Sequence, residues 1–277
     1  MYPLGDHFKI RVNPIANDNN IIKGNTYRIT VLTSNLVRLE YNPSGKFLDE
    51  PTEVVWNRNL GTVNFSKKED NNFLEISTPY FRIYYAKEKN FVGSKLVPDS
   101  NLKVNIIGSN TIWYYGNPEV KNMRTSDEVL RTGSLKEKGL YSLDGYASLD
   151  DSNSKVLVED GTFVDRPFKE IDIYLFVYNR DFTLCLKNYY ALTGGNPLIP
   201  RFALGNWWSK NVSYNEVDIK ELLDKFKSKK IPISVMLLDN EWHKRVNNLE
   251  TGFTFNNSLF PNPMALVQYL HNQKIEL

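Results

Sequence analysis

Cysteine occurs once in these 277 residues and histidine three times. A single cysteine excludes a disulfide framework and a thiolate metal cluster, and three histidines are a poor basis for an imidazole metal site. No stretch approaches the ~18 consecutive apolar residues that a membrane helix needs. Met1 to His7 also lacks the apolar core of a secretory leader. Charge of one sign is missing too. Lys and Arg total 34 against 32 Asp and Glu, a scattered net charge of +2, which leaves no electrostatic footprint for nucleic acid. Phosphate loop, dinucleotide fingerprint, serine elbow and zinc motif are all absent. The setting implied is reducing and cytoplasmic, with neither nucleic acid nor membrane as partner. Aromatic residues are plentiful, with 16 Tyr, 15 Phe and 5 Trp within an apolar fraction of 41%. That supply suits a sizeable sheet-packed core and also a ring-lined cleft.

Up to about residue 200 the apolar pattern has period two. Strands are expected at 26–33, 36–41, 73–77, 81–85, 103–107, 111–115, 146–149, 155–158 and 171–177, with Asn, Asp, Gly and Pro between them. Such spacing predicts an antiparallel β-sandwich. Residues 181–192 read as a linking helix that contains the lone Cys185, taken as a small packed side chain. Thr193-Gly-Gly-Asn-Pro197 stops that helix. No internal repeat or low-complexity tract is present.

The last quarter changes character. The apolar run 202–208 is long enough for one strand, and 231–238 for a second that ends on Asp239. Between them Ser213-Tyr-Asn-Glu216 has the spacing of a capping box, and Ile219, Leu222, Leu223 and Phe226 form a helical stripe. This is one β-α-β unit. A further helix follows, capped by Asn262, with Pro263 in its first turn and Leu266, Val267 and Leu270 inward. A parallel sheet is normally buried on both faces, so two such strands make an unfinished domain. The expectation is therefore a mainly β chain: a sandwich over 1–200, then the first two β-α units of a truncated (β/α)8 barrel over 201–277.

Barrels of this kind place their sites where strands end. The first strand end carries Trp207, Trp208 and Ser209; the second carries Asp239, Asn240, Glu241, Trp242 and His243. On an extended backbone Asp239 and Glu241 face one side. A carboxylate there can accept hydrogen bonds from sugar hydroxyls, with the indoles as an apolar platform. Equally, Asp239 can cap a loop and the tryptophans can fill a core. In the sandwich, 141–152 reads as a polar hairpin turning at Asp144-Gly145. Its Asp150 and Asp151 either bind a cation or hydroxylated ligand, or are simply solvated.

Several stretches, in order, resemble glycoside hydrolase family 31, the α-glucosidase and α-xylosidase family. They are 139–152 (Gly-Leu-Tyr-Ser-Leu-Asp-Gly-Tyr-Ala-Ser-Leu-Asp-Asp-Ser), 172–176, 192–209 (through Pro200-Arg-Phe-Ala-Leu-Gly-Asn-Trp-Trp-Ser209), 231–243, 252–256 and 259–263. The resemblance implies a β-sandwich leading into a (β/α)8 barrel and retaining hydrolysis of terminal α-linked glycosides by two aspartates. Both aspartates would lie on later barrel strands, beyond Leu277. It also implies that Asp239 binds sugar hydroxyls. Trp207, Trp208 and Ser209 would flank that pocket, Glu241 and Trp242 would adjoin it, and the Asp150-Asp151 turn would lean over the barrel mouth. Asn240 departs from the family, which often has an apolar residue between the two acids. No metal or organic cofactor is implied.

Taken together, these observations lead us to expect the N-terminal portion of an α-glycosidase for α-glucoside or α-xyloside oligosaccharides, inactive by itself. A non-catalytic carbohydrate-binding or purely structural sandwich is the alternative. Sugar affinity that survives deletion of 202–277 would favour the binding module. Uncovered barrel faces would also invite association into a homo-oligomer or disorder of 202–277.

Overall fold

The computed structural model describes residues 10–92, 100–123, 138–239, 241–247 and 249–277. The sequence motifs at Met1–His7 and Asn240 lie outside them. The chain divides into two compact units, Met1–Asn196 and Pro197–Leu277.

The first unit holds two five-stranded antiparallel sheets. One is built from β1 (Ile21–Lys23), β2 (Tyr27–Thr33), β3 (Leu36–Tyr41), β9 (Tyr146–Asp150) and β12 (Ile171–Val177), in the order β1-β2-β3-β12-β9. The other runs in sequence through β4 (Ser66–Glu69), β5 (Phe73–Ser77), β6 (Phe81–Ala86), β7 (Leu102–Ile106) and β8 (Ile112–Tyr114). A small hairpin, β10 (Val156–Leu157) with β11 (Phe163–Val164), stands apart. Alternation decides which side chains meet. Ile29, Val31, Val37, Leu39, Ile173 and Leu175 share one buried cluster with Leu74, Ile76, Phe81, Ile83, Val104 and Trp113. That cluster is the sandwich filling expected of period-two strands.

The opposite face of the first sheet is covered as well. Leu36, Tyr174, Phe176 and Tyr178 pack with Val55 and with helix α1 (Phe182–Thr193) through Cys185 and Leu192. Asp181 caps α1 by accepting from the Leu184 amide, and Gly194 ends it at φ 97°. Cys185 is fully buried, and burial pushes its thiol up to about 12, so it is no nucleophile at neutral pH.

The rest of that face carries charge. Arg28, Arg38, Glu40 and Asp172 alternate with the core residues of β2, β3 and β12, and Arg28 pairs across the strands with Glu40, as Glu40 does with Asp172. A solvated face would be the ordinary outcome of such alternation, yet all four are buried. Segments 48–58 and 151–170 close over them. Leu48 O accepts from both Arg28 and Arg38, and Arg58 donates to the Tyr174 hydroxyl and to the carbonyls of Asp49 and Glu50.

The second unit opens with a 3-10 turn, Arg201–Leu204, not a strand. Strand β13 is only Trp207–Ser209, and helix α2 (Glu216–Ser228) leads to β14 (Val235–Leu237), parallel to β13. Both strands are shorter than their apolar runs. Pro232 has no N–H to give to a ladder, and its carbonyl is held by the Asn206 side chain instead. The approach is close: a Cβ on Gly205 would lie 2.0 Å from Ser234 Oγ.

Helix α2 is capped by Asn215, not Ser213. The Asn215 side chain accepts from the amides of Val217 and Asp218, and the Asn215 amide donates in turn to the Asp218 carboxylate. A hairpin follows β14, made of β15 (His243–Val246) and β16 (Leu249–Phe255). Helix α3 (Pro263–Asn272) comes next, capped by Asn262 with Pro263 in its first turn. Ile219, Leu223, Met236, Phe260, Leu266 and Leu270 form the buried cluster between strands and helices. Beyond α3, Glu276 pairs parallel with Val235 through Met236 N–H to Glu276 O (2.8 Å) and Glu276 N–H to Ser234 O (2.9 Å).

Candidate functional site

Because β13 and β14 are parallel and in register, with Ser209 opposite Leu237, their C-terminal ends open on one rim. Burial alternates along that rim. Trp208, Met236 and Leu238 belong to the cluster beneath the helices. Trp207, Ser209, Leu237 and Asp239 are exposed. The period-two rule therefore puts Trp207, Ser209 and Leu237 on the same face, the one turned away from α2 and α3, and exposed Asp239 follows two residues past the end of β14. Trp207 is 49% exposed, and its Nε1 donates to Ala203 O at 3.2 Å. An indole held by its N–H with half its surface free is a ready platform for an apolar ring face. The exposed Asp239 carboxylate is an acceptor.

The remaining candidates have other tasks. Trp208 packs edge-on against Phe226 with centroids 5.1 Å apart, and its Nε1 donates to the Tyr214 hydroxyl at 3.1 Å. Trp242 is half-buried, with its ring against Phe253 and Phe255. Glu241 does not continue the extended chain from Asp239. It sits in a turn at φ 64°, and its Oε2 accepts from Ser213 Oγ at 2.6 Å. Glu241 therefore leaves the extended backbone on which it was expected to share a side with Asp239. His243 lies on β15 beside the Trp242 ring.

Asp150 and Asp151 separate sharply. Stretch 141–152 is not a hairpin. Gly145, at φ 78°, makes a turn that leads into β9, and β9 pairs with β12. Asp150 is exposed and accepts from the amide and hydroxyl of Ser152. Asp151 is fully buried and joins the charged layer: Thr52 Oγ1 reaches both of its oxygens (3.1 and 3.0 Å), and Arg166 Nη2 lies 3.2 Å away. No dissolved ligand can reach a carboxylate so enclosed.

The layer around Asp151 was not anticipated. Arg38 holds Asp172 with two parallel bonds (2.8 and 2.7 Å), Arg28 holds Glu40 likewise (2.7 and 2.8 Å), and Arg166 bridges Asp151, Glu170 and Asp172. Burial works to raise Asp172, but Arg38 outweighs it and the carboxyl falls to about 2. Burial, reinforced by Asp172, pushes Asp151 up to about 6, and burial with Asp172 and Glu40 pushes Glu170 up to about 7. Glu40, Glu170 and Asp172 are close enough together to ligate a cation. Arg28, Arg38 and Arg166 already neutralise them, so the cluster has no charge to offer a metal. Charged residues alternating with apolar ones along β2, β3 and β12 (Arg28, Arg38, Glu40 and Asp172) were the signal available in the sequence.

Residues 196–277 match the model of the glycosyl hydrolases family 31 TIM-barrel domain. An α-xylosidase of Saccharolobus solfataricus is 34% identical over 138 residues, 50% of this chain and 17% of that protein. An α-glucosidase 2 of Bacillus thermoamyloliquefaciens is 33% identical over 107 residues, 39% of this chain and 13% of that protein. Among solved structures, a GH31 α-xylosidase from a soil metagenome, complexed with xylose, superposes with a TM-score of 0.57 at 12% identity. That match covers 93% of this chain and 45% of the other. The cycloalternan-forming enzyme of Listeria monocytogenes superposes at 0.59 and 14% identity, over 95% of this chain and 31% of its own. At such identities the structural matches speak for the fold. The chain spans less than half the length of each of these proteins. Together the matches show the likeness to the N-terminal portion of glycoside hydrolase family 31.

Proposed function

From that likeness to glycoside hydrolase family 31, we propose that this chain supplies the β-sandwich (1–200) and the opening β-α units of the (β/α)8 barrel (201–277) of a retaining α-glycosidase. Its substrates are terminal α-linked glucosyl or xylosyl units of oligosaccharides. The observation that carries the proposal is exposed Trp207 and Ser209 at the end of one strand with exposed Asp239 just past the end of the parallel strand beside it. In this reading Asp239 accepts hydrogen bonds from sugar hydroxyls and Trp207 lies against the ring. Bond cleavage belongs to two carboxylates on later barrel strands, one attacking the anomeric carbon and the other protonating the leaving oxygen. The 277-residue chain alone therefore turns nothing over, and the chemistry uses no metal or organic cofactor.

Aryl α-glucosides and aryl α-xylosides, offered to this chain and to the full-length gene product, test the reading. The full-length protein releases the aryl alcohol and this chain does not. Turnover by the chain itself, or activity of the full-length protein confined to β-glycosides, would overturn it.

A further inference from the structure

Ser213 and Glu241 stand at the two loops that flank the proposed sugar face. Ser213 lies between β13 and α2, and Glu241 lies two residues past Asp239. Ser213 Oγ donates to Glu241 Oε2 at 2.6 Å, a short bond to an ionised acceptor. The next residue, Tyr214, accepts from the Trp208 indole at 3.1 Å, so one dipeptide fastens both strand ends. Glu241 keeps a left-handed backbone (φ 64°), a conformation that a non-glycine residue holds only when its surroundings impose it. On the far side Arg245 Nη1 approaches Glu241 at 4.0 Å, and Asn256 N–H bonds Trp242 O at 2.8 Å.

We propose that Glu241 is a positioning residue: its bond to Ser213 ties the loop carrying Asp239 to the loop after β13 and so fixes where the Asp239 carboxylate meets a sugar. This rests on the sugar-binding role proposed for Asp239. It accounts for an acidic side chain two residues from Asp239 that is turned to a neighbouring loop. It also explains why Ser213, spaced to cap α2, leaves that task to Asn215.

The test combines amide exchange of peptide 238–246 with an NMR titration by methyl α-D-xyloside and methyl α-D-glucoside, both on this chain. Ser213→Ala and Glu241→Asn each remove the clamp, and asparagine tolerates the left-handed backbone. Each variant should speed exchange in that peptide roughly fivefold and weaken sugar binding by a similar factor. Ser213→Thr, which keeps the hydroxyl, should restore both. Asp239→Asn should abolish binding and leave exchange unchanged.

Unchanged exchange in Ser213→Ala would overturn the clamp. Loss of binding in Glu241→Asn with unchanged exchange would make Glu241 a sugar ligand and also overturn it. Faster exchange with no sugar response in the unsubstituted chain would leave the clamp standing and sink the sugar-binding role of Asp239.

Discussion

Replacing Arg38 with methionine keeps most of the side-chain length and removes the guanidinium from the centre of the buried charged layer. Arg38 is 2% exposed. It gives two bonds to Asp172 and one to Leu48 O, and its Nη2 lies 3.1 Å from Glu40. Methionine offers none of these. Of their ion pairs among the described residues, Asp172 retains Arg166 at 3.1 Å and Glu40 retains Arg28. Breaking one member of a buried pair typically costs about 3–5 kcal/mol. The surviving arginines argue for the lower end, about 3 kcal/mol at neutral pH.

The pH dependence gives the sharper test. With Arg38 present, Asp172 titrates at about 2, below its ordinary 3.8. Its stabilising contribution is therefore full above pH ~4 and lost as pH falls toward 2. Without Arg38, burial is opposed less: the Asp172 pKa climbs from about 2, and that of Glu40, already raised by burial, moves further above its unfolded value. Ionisation then disfavours the fold, so the deficit of Arg38→Met grows with pH. Urea unfolding followed by circular dichroism should show a larger deficit at pH 7.5 than at pH 4.5. Equal stability to the unsubstituted protein, or a deficit that does not change with pH, would refute the reasoning.

Glu170 should act in the opposite sense to Asp172. Its folded pKa of about 7 lies above the ordinary 4.5, so it stabilises most below pH ~4.5 and the benefit fades as pH rises through 7. Glu170→Gln should flatten stability between pH 5 and 7.5 by on the order of 2 kcal/mol, read from unfolding midpoints. Gly205→Ala should destabilise the second unit by about 1–3 kcal/mol, because the added methyl meets Ser234. Tryptophan fluorescence during unfolding checks this, and an unchanged midpoint would show that the β13–β14 approach is loose. Asp239→Ala, on an exposed rim, should leave thermal stability within about 0.5 kcal/mol of the unsubstituted chain. A large loss in calorimetry would mean that Asp239 is structural.

Where alternation and burial coincide, the sequence was legible to the residue. Leu36–Tyr41, Phe73–Ser77 and Ile171–Val177 are strands over the spans their patterns indicate, and Asn262 caps the helix it precedes, while Asp181, read as the first residue of its helix, is instead the cap of Phe182–Thr193. Three kinds of feature escaped. Strand β4, Ser66–Glu69, is exposed throughout and so has no apolar period to read. The β15–β16 hairpin has no apolar period on its first strand, where Lys244, Arg245 and Val246 are all exposed. The runs 202–208 and 231–238 were read as strands in full, whereas a 3-10 turn and Pro232 restrict pairing to three residues in each.

The candidate site was half legible. Position at a strand end is written in the order of residues, and it located Trp207, Ser209 and Asp239. Orientation is not. Trp208 turns to the helices by strand parity, and a single left-handed residue diverts Glu241 to Ser213. The fate of Asp151 depended on Thr52, Arg58 and Arg166 closing over it from distant parts of the chain, contacts that no local pattern announces.

The central claim is that a monosaccharide is gripped at the rim by Asp239, and a crystal structure of this protein soaked with xylose or glucose tests it most directly. The account predicts sugar hydroxyls within hydrogen-bond distance of the Asp239 carboxylate, with the sugar on the face that carries Trp207 and Ser209. A sugar bound on the sandwich, with the Asp239 carboxylate left to solvent, would contradict it.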